Sequence, residues 1–173
     1  MVQARMTTDS SHERFGVLLE RHRGVVLKVA NTYCRHAEDR RDLAQEICAR
    51  LWKAFPAWDQ DRPFSTWMYR IALNVAISFA RGTHHPARQA LALDEIESEP
   101  GHDDEATREA DDSIRALYRV IAQLDPFDRA LLLLYLDEKS QREIAQILGI
   151  SETNVATRIG RLKTRIRNNI GNN

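Results

Sequence analysis

SQREIAQILGISETNVATRIGRLK, residues 140–163, is the stretch on which the reading of this chain turns. Ser140 and Glu143 stand at capping-box spacing, where each side chain can satisfy the other residue's backbone amide. Ile144, Ile147 and Leu148 then recur at helical steps, giving one apolar face. Gly149 can take the left-handed conformation that ends such a helix, and Ser151 can cap the next. That next helix turns Val155, Ile159, Leu162 and Ile166 inward and leaves Glu152, Asn154, Thr157, Arg158, Arg161 and Arg165 outward. A scaffold helix, a glycine turn and a second helix with a basic outer face are the parts of a helix-turn-helix. In the major groove, arginine pairs bidentately with guanine and asparagine with adenine. The helix N-terminus and Ser151 suit phosphate. A basic face alone would be an ordinary solvated surface; the capping box, the turn and the apolar register together favour a DNA reader.

Upstream, Asp125-Pro126 reads as an N-cap followed by proline at the first helical position. Phe127 to Leu136 is apolar enough to expect burial, and Ile114, Leu117, Val120, Ile121 and Leu124 form one stripe before it. In the N-terminal half, a helix is expected from about His12 to Tyr33, with Phe15, Leu18, Leu19, Val25, Val26, Val29, Ala30 and Tyr33 on its apolar side. A second opens near Asp39, with Leu43, Ile47, Leu51, Ala54 and Phe55 inward and Pro56 near its end. A third spans about Phe64 to Arg81, with Trp67, Met68, Ile71, Ala72, Val75 and Phe79 as its stripe and Gly82 as its stop. No strand period competes. The expected fold is all-α: two small helical domains, residues 10–82 and 113–170, joined by an acidic linker over 83–112.

The charge pattern supports that division. The 173 residues carry 25 Lys+Arg and 25 Asp+Glu, a formal net of zero. Residues 1–82 hold 13 Lys+Arg against 9 Asp+Glu, residues 83–113 hold 2 against 10, and residues 114–173 hold 10 against 6. Neutrality is therefore an average over two mildly basic ends and an acidic middle. THHPARQALALDEIESEPGHDDEAT, with two prolines, a glycine and a dense run of carboxylates, reads as a linker ordered in part at best.

Several classes are disfavoured. No apolar run is long enough to span a bilayer, and MVQARMTTDSSHERF has no secretory apolar stretch, so no membrane insertion and a cytoplasmic location are expected. Cys34 and Cys48 are too few for a disulfide framework. His84 and His85 fall in the linker, and Cys34-Arg35-His36 has no second metal pair at useful spacing, so no metal site is expected. No glycine-rich phosphate loop or nucleophile–base pair is present, so neither catalysis nor a cofactor is expected.

Two N-terminal surfaces remain. DLAQEICARLWKAFPAWD, residues 42–59, offers Asp42, Gln45, Glu46 and Trp52 outward, a mixed surface better suited to a protein partner than to DNA. PFSTWMYRIALNVAISFAR, residues 63–81, sets Phe64, Trp67 and Tyr69 near Arg62, Arg70, Asn74 and Arg81. Aromatics interleaved with cations suit unstacked single-stranded bases, although Trp67 at helical spacing is equally a core residue.

The ordered set DLAQE, ARLWKAF, FSTWMYRIALNVA, an acidic linker and LDPFDRALLLLYLDEKSQREIAQILGISETNVATRIGRLKTRIR resembles group IV (extracytoplasmic function, ECF) sigma factors of bacterial RNA polymerase, within the sigma-70 family. The likeness covers roughly residues 12–168. It implies a region 2 helical bundle and a region 4 helix-turn-helix. It further implies that Asp42, Gln45, Glu46, Cys48 and Trp52 bind core polymerase at the β′ clamp helices, with the β subunit as a further contact. Arg62, Phe64, Ser65, Thr66, Trp67, Arg70 and Asn74 would melt and hold the −10 element, and Ser151, Thr153, Asn154, Thr157, Arg158 and Arg161 would read the −35 element. An anti-sigma partner is implied as well. The chain departs from the family pattern in ARGTHHPAR, where a run of arginines is common, and at Ala156, where lysine is common. The competing reading is a stand-alone helix-turn-helix regulator, in which the DLAQE surface has no role.

Overall fold

The computed structural model of the chain describes residues 2–82, 121 and 123–170, with side chains described over 12–82, 121 and 123–168. Among the described residues there are seven α-helices and no strand, as the periodicity leads one to expect. They belong to two compact units, the first ending at Ala80 in the N-terminal half. The acidic segment read as a linker, and Ile114, Leu117 and Val120, lie outside the described residues.

The N-terminal unit comprises α1 (Val2–Arg21), α2 (Arg23–Tyr33), α3 (Ala37–Ala54), a short 3-10 turn (Phe55–Ala57) and α4 (Phe64–Gly82). The single helix expected from His12 to Tyr33 is in fact two. His22 sits at φ −111° and ψ 13°, and its amide is shared between the carbonyls of Leu18 and Leu19 at 3.1 and 3.2 Å. Glycine is a poor helix former, so Gly24 just after the break lowers the cost of interrupting the ladder there. The break lets α2 lay Val25, Val26, Val29 and Ala30 into the core, where it packs on α3.

Leu43, Ile47 and Leu51 recur every four residues along α3 and are fully buried. Burying one such side chain is worth about 1.5–3 kcal/mol. The stripe on α4 differs from the expected one. Phe64, Met68, Tyr69, Ala72, Leu73 and Ala76 are buried, while Trp67, Ile71, Val75 and Phe79 lie half-buried at the flank. Sequence periodicity could not separate these two faces, because α4 is apolar around most of its circumference.

The C-terminal unit contains α5 (Pro126–Leu136), α6 (Gln141–Leu148) and α7 (Glu152–Ile170). Every expected cap is present. Asp125 accepts from the amides of Phe127 at 2.9 Å and Asp128 at 3.1 Å. The Ser140 amide and hydroxyl donate to Glu143 Oε2 at 2.9 and 2.8 Å, and the Glu143 amide donates back to Ser140 Oγ at 3.2 Å. Gly149 adopts φ +70°, and the Ile150 amide closes the end of α6 on the Ala145 carbonyl at 3.1 Å. Ala130, Leu131 and Leu134 of α5 and Val155 of α7 are fully buried, and α5 packs on α7. The expected burial of α5 is incomplete: Tyr135 and Leu136 remain exposed, although Leu134 in the same turn is fully buried.

Candidate nucleic-acid interface

The outer face of α3 is set by the burial of its inner one. With Leu43, Ile47 and Leu51 inward, Asp42, Gln45, Glu46 and Trp52 come out exposed along one side, and Cys48 lies half-buried at the edge, where burial pushes its thiol pKa up. Glu46 accepts from Arg50 Nε at 2.7 Å one turn later. Such an exposed pair contributes only about 0.3–0.5 kcal/mol to the helix, so it is easily given up to a partner. Trp52 covers the core edge as well, its ring tilted at 4.3 Å from His12 and edge-on at 5.1 Å from Phe15.

The loop between the 3-10 turn and α4 is held by aromatic packing. Phe64 meets Trp58 at 5.1 Å, Trp67 at 5.2 Å, His22 at 5.5 Å and Phe55 at 6.3 Å between ring centroids. Arg14 lies over the Trp58 ring at 5.7 Å and donates to Gln60 Oε1 at 3.0 Å, pinning the loop from α1. Within the loop, the Asp61 amide donates to Asp59 Oδ1 at 3.1 Å. Arg62, Arg70 and Asn74 are exposed, while Ser65, Thr66 and Trp67 are half-buried. Arg62 is tethered loosely to Asp59, at 3.4 Å.

Two aromatics differ from expectation. Phe64 is only 6% exposed, so its faces are taken up by neighbouring rings and it supports the loop rather than offering a platform for a base. Tyr69, read as an outward aromatic, is fully buried. Both follow from the register of α4, which turns them toward the core.

On α7, burial of Val155, Ile159 and Leu162 leaves Ser151, Thr153, Asn154, Thr157 and Arg161 exposed. Ser151 Oγ accepts from the Asn154 amide at 3.2 Å, the cap its position predicts. Thr157 Oγ1 donates to the Thr153 carbonyl at 2.9 Å, leaving its lone pairs outward. Arg158 does not stand free as the outward reading expects. Its Nε donates to Asn154 Oδ1 at 3.0 Å, its Nη1 donates to Asp128 Oδ1 at 3.1 Å, and its guanidinium lies 5.0 Å from the Phe127 ring centroid. The cause is helical geometry: position 158 falls at the border between the buried and exposed faces, where the first turn of α5 is within reach.

Charge around that turn is balanced locally. Partial burial opposes ionisation of Asp125, but the hydrogen bonds from Asp128 and Phe127, with Arg158 nearby, hold its carboxyl below the usual range. Asp128 is pushed up by partial burial and by Asp125, against the pull of Arg158. Nothing in the sequence marks Asp128 or Phe127 as a partner of Arg158. The only hint was an acidic residue three places after a cap, and nothing local could pair it with an arginine thirty residues on.

Comparison with known proteins bears on both units. Sigma-70 region 2 matches residues 18–85, and Sigma-70, region 4 matches residues 114–166. The chain is 26% identical to the RNA polymerase sigma factor CnrH of Cupriavidus metallidurans, over 95% of this chain and 91% of that protein. It is 28% identical to the ECF RNA polymerase sigma-E factor of Escherichia coli, over 90% of this chain and 86% of that one. Among solved structures, CnrH in complex with the cytosolic domain of CnrY matches at a TM-score of 0.65 and 25% identity, covering 95% of this chain and 92% of that chain. The sigma factor RpoE bound to the anti-sigma factor NepR from Bartonella quintana shares the fold at 15% identity and the same TM-score, over 92% of this chain and 98% of that chain. A match to region 2 as well as region 4 favours a sigma factor over a stand-alone regulator built on the last domain. The chain belongs to the sigma-70 family, as a sigma factor of the ECF type.

Proposed function

We propose that this chain binds core RNA polymerase and directs initiation at promoters carrying paired −35 and −10 elements. The observation that carries the reading is the exposed polar face of α7 in a unit matching region 4, on the same chain as a unit matching region 2. The role is that of an initiation factor, not an enzyme.

Residues 10–82 serve as the region 2 domain, 83–112 as a linker and 113–170 as the region 4 domain. Asp42, Gln45, Glu46 and Trp52, with Cys48 at the edge, meet the polymerase clamp. Their mixed acidic, amide and aromatic chemistry supports a protein contact. Arg62, Ser65, Thr66, Trp67, Arg70 and Asn74 engage the −10 element. The exposed cations there suit phosphates, and half-buried Trp67 can offer one ring face to an unstacked base. Ser151, Thr153, Asn154, Thr157 and Arg161 meet the −35 duplex.

No helix among the described residues is long and apolar enough to cross a membrane, and the chain works in the cytoplasm, where the polymerase is. The two solved relatives are bound to CnrY and to NepR; by analogy this chain is held by an inhibitor of its own. Transcription reconstituted from purified chain, cognate core enzyme and a fragment library tests the proposal. Transcripts should begin at a shared paired motif, and their absence under inhibitor-free conditions would refute it.

A further inference from the structure

Arg158 links the recognition helix to the first turn of α5, and that link constrains how Asn154 presents its amide. A guanidinium carries donors only, so the Asn154 atom 3.0 Å from Arg158 Nε is necessarily the oxygen. The amide nitrogen then faces away, and among the described residues it donates to nothing. Arg158 in turn is fixed at three points: Asn154, the Asp128 carboxylate, and the Phe127 ring beneath its plane. Asp128 is the better buried member of its ion pair, with 19% of its side chain exposed against 41% for Arg158. Its backbone amide is pinned by the Asp125 cap, so the anchor sits on a rigid helix start.

We propose that Asp128 is a positioning residue for promoter recognition: acting through Arg158, it holds the Asn154 amide so that it offers hydrogen-bond donors to the major groove. This inference rests on the reading of α7 as the −35 contact. A free asparagine pairs bidentately with adenine, accepting from N6 and donating to N7. With its oxygen engaged by Arg158, Asn154 is biased toward an edge that only accepts. Guanine shows two acceptors, O6 and N7, in that groove; adenine and cytosine present a donor, and thymine sets its one acceptor beside a methyl group. The position facing Asn154 is therefore a guanine position, where the uncoupled asparagine would favour adenine.

The test uses the full chain with its core polymerase and a promoter library randomised across the −35 element, read by sequencing the transcripts. Asn154→Ala first identifies the position, as the one whose base preference it erases. At that position the wild-type chain should favour guanine over adenine by roughly fivefold, the low end of what one bidentate pair discriminates. Asp128→Ala should reverse the order toward adenine. Arg158→Ala breaks the same chain from its other end while leaving the Asp125 cap in place, and should give the same reversal even if Asp128→Ala folds poorly. Adenine preference in the wild-type chain, or guanine preference unchanged in a folded Arg158→Ala variant, would overturn the inference while leaving the −35 assignment standing. Loss of all −35 preference in the wild-type chain would overturn that assignment, and this inference with it.

Discussion

The capping box of α6 allows a sharp test of how the reading domain is held together. Replacing Ser140 with alanine removes the hydroxyl that donates to Glu143 Oε2 at 2.8 Å and accepts from the Glu143 amide at 3.2 Å. The bond from the Ser140 amide to Glu143 survives in principle, but the carboxylate loses the second bond that orients it. Both residues are accessible to water, so solvent replaces part of what is lost. The expected cost is then that of an ordinary N-cap substitution, about 1 kcal/mol. For a unit of this size, that lowers the melting temperature by roughly 4–8 °C.

The placement of the tryptophans makes the measurement selective. The chain has three, and Trp52, Trp58 and Trp67 all lie in the N-terminal unit. Tryptophan fluorescence therefore follows that unit, while far-ultraviolet circular dichroism follows both. Ser140→Ala should shift the dichroism transition assigned to the C-terminal unit and leave the fluorescence midpoint in place. Acidity adds a second signature. The Ser140 amide and hydroxyl, helped by Lys139 and opposed slightly by burial, hold the Glu143 carboxyl below its usual range. A carboxylate with a depressed folded pKa contributes stability above its unfolded value, near 4.3, and loses it as pH falls through the folded value. The gap between wild type and variant should thus be full at pH 7 and shrink below about pH 4. A midpoint change of equal size in tryptophan fluorescence, or a gap that widens on acidification, would refute the reasoning.

Three further outcomes follow from the same geometry. Gln45→Ala with Glu46→Ala should weaken association with core polymerase about tenfold in a competition assay, as expected for loss of a few exposed polar contacts at about 1.4 kcal/mol in total, with the C-terminal melting transition unchanged and the N-terminal one moved only by the small loss of the Glu46–Arg50 pair. Gly149→Ala and Gly160→Ala should have opposite signs in thermal denaturation. Gly149, at φ +70°, should cost about 1–2 kcal/mol on acquiring a Cβ, whereas Gly160, mid-helix with open space around it, should gain about 0.5–1 kcal/mol. Arg70→Ala with Asn74→Ala should reduce permanganate-detected opening of the −10 region several-fold without weakening −35 protection in footprints. Equal loss of both would contradict the division of labour.

What the sequence conveyed and what it hid divide along physical lines. Caps are local: Asp125, Ser140, Glu143, Gly149 and Ser151 act on amides within a few residues, so their spacing alone announces them. The inner faces of α3 and α7 were equally plain, because one side of each is polar and the period leaves a single choice. Helix α4 was harder. Its apolar residues cover most of its girth, and only packing decides that Phe64 and Tyr69 go in while Trp67 lies at the flank. The break at His22 was hidden because α1 and α2 keep nearly the same apolar period across it. The tether of Arg158 to Asp128 was beyond reach, since thirty residues and two turns separate the partners.

That tether also bears on how a chain proposed to read DNA manages with a C-terminal half that is only mildly basic. Phosphate contacts supply sequence-independent affinity, and each free cation added to the interface steepens the dependence on salt. In this reading domain the cations are partly spoken for: Arg158 by Asp128, Lys163 by the Tyr135 ring at 4.6 Å, and Arg165 by the Gln123 carbonyl at 3.4 Å. Arg161 is the basic residue on the exposed face proposed to meet the −35 element with none of these ties among the described residues. A protein that finds DNA alone would gain from releasing all of them. A subunit delivered by polymerase has its affinity supplied elsewhere, and there an arginine that orients an asparagine is worth more than one that grips a phosphate. The reading head can then stay only mildly basic, 10 Lys+Arg against 6 Asp+Glu over residues 114–173, and discriminate between bases, with the holding left to the enzyme that carries it.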